Sequence, residues 1–238
     1  MYLEAVIVSI NFGDFLNETL VRNRAHFDHI AVVTTGGDLE STRVAKINGA
    51  DVVLTDRFDG SIDSSKGEAI NEGLDRCTMQ GWVCILDADI VLLPGFYNEL
   101  RNAIKRDFRS LRGSTIYGVP RLMCHSYAEW MEFIRTGKHS WLPDKQRKLH
   151  QRPPGYFQLW HGKTLPSMRY PEGYGANPQL RGGVGGDLAF ASQFDRCLQL
   201  KAPQVIHLDT IESGKKRDHQ GRISRRWGPV AITEGADD

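Results

Sequence analysis

The stretch Val83-Cys84-Ile85-Leu86-Asp87-Ala88-Asp89-Ile90-Val91 decides how the rest of the chain is read. Four apolar residues run straight into two carboxylates at positions i and i+2. With Trp82 in front, the run reads as a strand buried on both faces, the mark of a parallel sheet. Ligands of such sheets bind beyond the carboxyl ends of the strands, where Asp87 and Asp89 stand. Ionised carboxylates in that place call for a cation or a helix N-terminus nearby. Their hard oxygens suit Mg²⁺ or Mn²⁺, metals that bridge nucleotide phosphates. The plainer reading is a solvated turn or an N-cap for a following helix.

Working outward, the same grammar repeats upstream. Ala5–Ile10, His29–Thr34 and Asp51–Thr55 are short β-branched runs. Helical spacing fills 15–25, 39–48 and 66–78, and again 95–106 downstream. Alternating strands and helices of these lengths imply βαβ units and a parallel sheet. Asn11, Thr34 to Gly37, and Thr55 with Asp56 then share the ligand-binding edge with Asp87 and Asp89. The second half is less regular. A strand is expected at 115–120, a helix at 126–136, a helix or strand from Asp187, and a late strand at Gln204–Leu208. Between them, 137–186 is rich in Gly, Pro and aromatics and reads as a long functional loop.

Composition bounds the function. The chain has 238 residues, 30 Lys+Arg against 29 Asp+Glu, a net charge of +1 and 40% hydrophobic residues. It is long enough for one sizeable core. The charge balance excludes a generally basic nucleic-acid-coating protein and an acidic disordered chain. No apolar run approaches the roughly 20 residues of a membrane span, so no integral membrane segment is expected. The opening MYLEAVIVSINFGD reads as a first strand rather than a signal peptide. Cys77, Cys84, Cys124 and Cys197 lack CxxC spacing, so all four read as structural thiols of a reducing, cytoplasmic compartment. From 215 to 226 six cations face one carboxylate, a local charge of +5.

A resemblance follows from Lys66-Gly67-Glu68-Ala69-Ile70-Asn71-Glu72-Gly73-Leu74, Gly81-Trp82 and Ile85-Leu86-Asp87-Ala88-Asp89-Ile90. In combination these resemble the family 2-like glycosyltransferases of the GT-A fold, over roughly residues 4–100. The resemblance implies an α/β, Rossmann-like, mostly parallel sheet flanked by helices, with an irregular acceptor-side lobe. It implies one domain over 1–238: a nucleotide-sugar half (1–110), an acceptor half (111–212) and a basic tail (213–238). The implied donor is a UDP-sugar, with Mn²⁺ or Mg²⁺. Asp87 would hold the ribose and border the metal, Asp89 would bind the metal, and His207 would complete its ligands. Asn11, Thr34 and Asp56 would line the base and ribose. Lys66 would face the nucleotide, or else be an exposed helix-start lysine. Arg222 would clamp the diphosphate from the tail.

In the segment Gly182-Gly183-Val184-Gly185-Gly186-Asp187, Asp187 resembles the general base of inverting members of this fold, or is a helix N-cap. The fuller paired-acid signature is missing. Tyr156 and Trp160 are expected either in an acceptor wall or in a satellite core. The acceptor is a hydroxyl, on a glycan or on a hydroxymethylated base in DNA. Two rivals stand beside this reading. One is a haloacid dehalogenase-like phosphohydrolase using Asp87 and Asp89. The other is a non-catalytic sugar- or nucleic-acid-binding module on the same fold.

Overall fold

The computed structural model describes residues 1–57, 62–107, 114–141, 153, 155–164, 167–171 and 184–208. Four strands form the parallel centre: β1 (Leu3–Val8), β2 (His29–Thr35), β3 (Asp51–Thr55) and β4 (Trp82–Leu86). They lie in the order β3-β2-β1-β4. β1, β2 and β4 are buried nearly throughout, as continuous apolar runs covered on both faces should be. β3 is the edge strand and alternates, with Leu54 61% exposed.

The crossovers are α1 (Gly13–Asn23), α2 (Leu39–Ile47) and α3 (Ile62–Leu74), and α4 (Phe96–Asp107) follows β4. Leu16 and Leu20 of α1 and Phe96, Leu100 and Ile104 of α4 join one core cluster with Ile7 and Val32. Ala69, Ile70 and Leu74 of α3 join a second with Val6 and Val33. These two clusters are the two faces of the sheet. Gly73 allows α3 to sit this close, since a Cβ there would lie 2.4 Å from Val6 and 2.9 Å from Val33.

Beyond β4 the sheet changes direction. β8 (Phe157–His161) pairs antiparallel with β4, β6 (Thr115–Gly118) antiparallel with β8, and β9 (Arg196–Gln199) parallel with β6. This corrects the expectation that 156–161 belongs to a loop. Phe157-Gln158-Leu159-Trp160 is fully covered and sits in the middle of the seven-stranded sheet. Its aromatic composition reflects the propensity of aromatics for a pleated, buried surface.

A second, three-stranded sheet joins β5 (Ile90–Leu92), β7 (Arg121–Cys124) and β10 (Val205–Leu208). β10 runs antiparallel to β5 and parallel to β7. α5 (Tyr127–Thr136) covers it, with Trp130 packed among Val91, Ile206 and Leu208. α6 (Val184–Ala191) lies against the main sheet through Phe190. All four cysteines are free. Among the described residues no helix is long and apolar enough to cross a membrane.

Candidate active site

The carboxyl edge of the parallel strands collects the charged groups. Asp87 follows β4, and its N–H donates to Tyr156 O (3.1 Å) at the entry of the antiparallel β8. Ile90 N–H closes the turn onto Asp87 O (3.2 Å). Asp89 therefore stands at the mouth of β5, where β10 pairs beside it with His207 opposite Ile90. Leu208 N–H donates to Asp89 O (2.9 Å), and His207 Nε2 lies 3.1 Å from Asp89 Oδ2. A separation of 118 residues is thus closed by one strand pairing.

The partners of Asp89 bear on metal binding. Its Oδ1 is buried and has no hydrogen-bond partner among the described residues. Burial alone would raise the Asp89 carboxyl, but the His207 imidazole and the Lys66 ammonium outweigh it and hold the pKa below its ordinary value. Burial likewise works against the His207 imidazolium, and Asp89 outweighs it to raise that pKa. A buried carboxylate oxygen left open beside an imidazole is a donor set that fits Mn²⁺ or Mg²⁺ with phosphate oxygens. Asp87 does not close with Asp89 and His207 into one tight group of three ligand atoms among the described residues. Its Oδ1 instead takes the Lys66 ammonium at 2.8 Å.

Lys66 is the positive centre of this edge. Burial opposes its charge, but Asp87, Asp187 and Asp89 together hold its pKa above the ordinary lysine value. The lysine is paired into the site rather than free at a helix start. Asp87, Asp89 and Asp187 thus gather around one ammonium, with the Arg121 guanidinium beside His207 (2.7 Å) as the next cation.

Asp187, in the first turn of α6, is brought here by contacts that span the chain. Tyr170 O–H donates to Asp187 Oδ1. Tyr170 is itself clasped by Asn71, whose Nδ2 donates to Tyr170 O (3.0 Å) and whose Oδ1 accepts Tyr170 N–H (2.7 Å). The Tyr170 ring stacks on Phe190 of α6 at 4.8 Å. Gly67 makes room for this, since a Cβ there would meet Pro171 O at 2.8 Å and the Tyr170 ring at 2.9 Å. The Lys66–Leu74 motif thus has a physical reading. Lys66 holds Asp87, Gly67 and Asn71 seat Tyr170, Tyr170 orients Asp187, and Gly73 packs α3 onto the sheet. Burial and the neighbouring Asp87 raise the Asp187 carboxyl above its ordinary value against the pull of Lys66. A Cβ on Gly155 would fall 2.0–2.3 Å from the Asp187 carboxyl group.

The nucleotide-side candidates are spread along the same edge. Asn11 has a positive φ of 56°, and its N–H donates to Asp38 Oδ2 (2.6 Å). Thr34 is fully buried, and its hydroxyl lies 3.3 Å from the same Asp38 oxygen. Asp38 also caps α2 by accepting Ser41 N–H (3.0 Å). Asp38 stands outside the residues singled out from the sequence. Its place one residue before a helical run is the N-cap signal that could have singled it out. Asp56 is exposed, three strands from Asp87, or roughly 14 Å at the usual strand spacing.

Two expectations change. Trp160 is fully buried in β8, edge-on to Phe190 and Phe194 at 5.3 and 6.0 Å, so it is core and not an acceptor wall. Tyr156 is 4% exposed, donates to Val119 O, lies under the Arg121 guanidinium and stacks on His207. It packs against His207 rather than lining an open face. Arg222 and the basic tail lie outside the described residues.

No family model and no curated protein sequence matches the chain. Solved structures do, and they show the fold to be the GT-A one that the motifs resemble. A crystal structure of a mycobacterial protein aligns over 91% of this chain and 68% of its own, at TM-score 0.52 and 16% identity. Glucosyl-3-phosphoglycerate synthase from Mycobacterium tuberculosis, in complex with phosphoglyceric acid, aligns over 92% and 74%, at TM-score 0.50 and 14% identity. The same synthase is solved with Mg²⁺ and uridine diphosphate, and with Mn²⁺, UDP-glucose and phosphoglyceric acid, each at TM-score 0.50.

Proposed function

We propose that the protein is a metal-dependent glycosyltransferase that moves a sugar from a nucleotide-diphosphate sugar, a UDP-sugar, to an acceptor hydroxyl. The observation that carries this is the convergence of Asp87, Asp89, His207, Lys66 and Asp187 at one edge of the sheet. The fold shared with a synthase solved with UDP-glucose and a divalent metal supports the same reading over the phosphohydrolase alternative.

In this reading Asp89 would hold the divalent ion through its open Oδ1, and His207, whose Nδ1 lies 2.7 Å from Arg121 Nη1, would join through Nε2 by exchanging its contact with Asp89 for the ion. When bound, the ion neutralises charge on the leaving diphosphate. Asp87 binds the ribose, and Lys66 orients its carboxylate. Asn11, Thr34 and Asp56 form the nucleoside side, with Asp38 fixing the loop between the first two. Arg222 belongs to the donor side by its charge. The nucleotide half spans 1–110 and the acceptor half 111–212.

Asp187 is the general base. Its carboxylate takes the proton of the acceptor hydroxyl as that oxygen bonds to the anomeric carbon, and the bond from that carbon to the diphosphate breaks with its electron pair. Attack on the face opposite the leaving group inverts the anomeric centre. A base held above the ordinary carboxylate range is better matched to neutral pH. Tyr170 fixes the carboxyl orientation by donating to one oxygen. Phosphoglyceric acid in the synthase complexes supports a small or saccharide alcohol as acceptor over a hydroxymethylated base in DNA.

The test is a thermal-shift screen of nucleotide sugars with and without Mn²⁺. A UDP-sugar at 100 times its Kd stabilises the folded state by about 2.7 kcal/mol. The proposal expects a Mn²⁺-dependent rise in Tm with one or more UDP-sugars. No shift with any donor would return the fold to a binding-module role.

A further inference from the structure

A second group of metal-type side chains lies at the opposite end of the sheet. Glu4 and His29 are direct register partners at the start of β1 and β2. Cys77 follows α3. One ligand atom from each lies within 4.8 Å of the other two, the only such trio among the described residues. β1 is six residues long, so this end stands about 20 Å from the Asp89 site.

The hydrogen bonding leaves open one atom each of Glu4 and His29, while the Cys77 thiol donates to Gly73 O (3.7 Å) and would give up that proton on binding. Glu4 is fully buried. Its Oε2 accepts Thr78 Oγ1 (3.0 Å) and Met79 N–H (3.0 Å), while Oε1 accepts only Thr78 N–H (2.7 Å). One lone pair of Oε1 is therefore unused, and it faces His29 Nδ1 at 3.7 Å. His29 Nδ1 is buried without a hydrogen-bond partner among the described residues. Its other nitrogen, Nε2, lies 2.9 Å from Asp51 Oδ2. Donation from Nε2–H to that carboxylate leaves Nδ1 facing Glu4, an arrangement that is favourable only with a proton or a metal cation between them. A carboxylate behind the far nitrogen is the usual support of a metal-bound histidine. The Cys77 thiol is pushed up to about 12 by burial and then by Glu4, so it is a neutral thiol without a cation beside it.

We propose that Glu4, His29 and Cys77 form a Zn²⁺ site, with Glu4 Oε1, His29 Nδ1 and Cys77 Sγ as ligands and water in the fourth position. The mixed O, N and S set suits zinc and not the hard ion of the Asp89 site. Ligand atoms of tetrahedral zinc stand roughly 3.3–3.7 Å apart, given bonds of about 2.0–2.3 Å. The carboxylate–imidazole separation of 3.7 Å closes by a few tenths of an ångström to reach the roughly 3.3 Å of two such light ligands, and the thiol, within 4.8 Å of both, moves in by about 1 Å. Binding releases the thiol proton to solvent. It clips the first strand, the second strand and the end of α3 together, a structural role outside the transfer reaction.

Co²⁺, added alone to the full chain, tests the site because a thiolate ligand gives it a charge-transfer band in the near ultraviolet. The band is expected at one Co²⁺ per chain, unchanged in Asp89→Ala and lost in Cys77→Ser. Asp51→Asn, an exposed change that spares the fold, is expected to weaken Zn²⁺ binding about 10- to 100-fold. A wild-type chain without the band overturns the proposal, as does a band that survives Cys77→Ser. If Cys77→Ser does not fold, an Asp51→Asn affinity equal to wild type overturns it instead.

Discussion

His207 Nε2 lies 3.1 Å from Asp89 Oδ2, although 118 residues separate them in the chain. The contact exists because β10 pairs between β5 and β7, setting His207 against Ile90 and its side chain beside the preceding acid. Both groups are shifted toward their charged forms, and Asp89 keeps one buried oxygen open. The Asp89 carboxylate is ready for a cation, and His207 joins it as a ligand once the imidazolium proton is displaced.

Asp89→Ala is expected to abolish Mn²⁺-dependent sugar transfer and the Mn²⁺-dependent part of the UDP thermal shift, while circular dichroism stays native. His207→Ala is expected to raise the Kd for Mn²⁺ at least about tenfold, a loss of roughly 1.4 kcal/mol. Calorimetric titration of the metal into the UDP-bound protein checks both, and an unchanged Mn²⁺ affinity in either variant returns the pair to a structural role.

Asp187→Asn is expected to lower kcat by about 10²- to 10⁴-fold with little change in donor KM. Stability should move the other way. The folded-state pKa of Asp187 lies above the unfolded value, so its ionised form costs stability above that pKa and the cost vanishes below the unfolded value. Asn keeps an oxygen for Tyr170 and removes the charge. A rise in Tm of roughly 2–4 °C at neutral pH, the effect of about 1 kcal/mol in a chain of this size, is the expected calorimetric result. A lower Tm contradicts it.

The wild-type pH–rate profile should follow the same group. Activity requires ionised Asp187, so kcat is expected to fall as pH drops through its raised pKa, giving an acid limb above the ordinary carboxylate range. Glu4, buried but outside the site, should leave that limb in place when replaced by Gln. An acid limb at the ordinary carboxylate value would assign the base elsewhere.

Gly155→Ala should reproduce part of the Asp187 defect without touching any charge. The new Cβ would fall on the Asp187 carboxyl group and force it to move. Overpacking of this kind costs about 1–3 kcal/mol. Turnover is expected to drop more than UDP affinity in steady-state kinetics and binding measured together.

Trp160→Ala should destabilise the fold by about 3–5 kcal/mol, the cost of emptying a large aromatic from a core. Trp160→Phe, which keeps the contacts to Phe190 and Phe194, should restore most of the Tm and leave acceptor KM unchanged. A selective rise in acceptor KM would place the indole in the acceptor wall after all.

Much of the nucleotide half was legible in the chain. The runs at 29–35, 51–55 and 82–86 are continuous and apolar, bounded by turns, and close to the strands observed. Asp87 and Asp89 were legible because local spacing alone puts them at a strand end. β8 was not, since a five-residue segment carrying Phe157 and Trp160 in a Gly- and Pro-rich stretch is too short to show a helix or strand period of its own. Trp160 was ambiguous for the same reason, because an aromatic carries the same composition signal on a sugar-binding wall and in a core. Asn71 stood inside a recognised motif without a reason until Tyr170, 99 residues away, closed on it.

By itself, then, the sequence determined the parallel half-sheet and the acidic pair at the carboxyl edge of its strands, because strand propensity and turn chemistry act between near neighbours. Only the tertiary structure decided which distant groups meet that pair. Strand pairing delivers His207, the clasp of Asn71 on Tyr170 delivers Asp187, and the environment sets both pKa values, Asp89 raising that of His207 against burial and burial raising that of Asp187. The same holds at the other end of the sheet. Glu4, His29 and Cys77 are unremarkable apart, and the register of β1 on β2 is what brings their ligand atoms together.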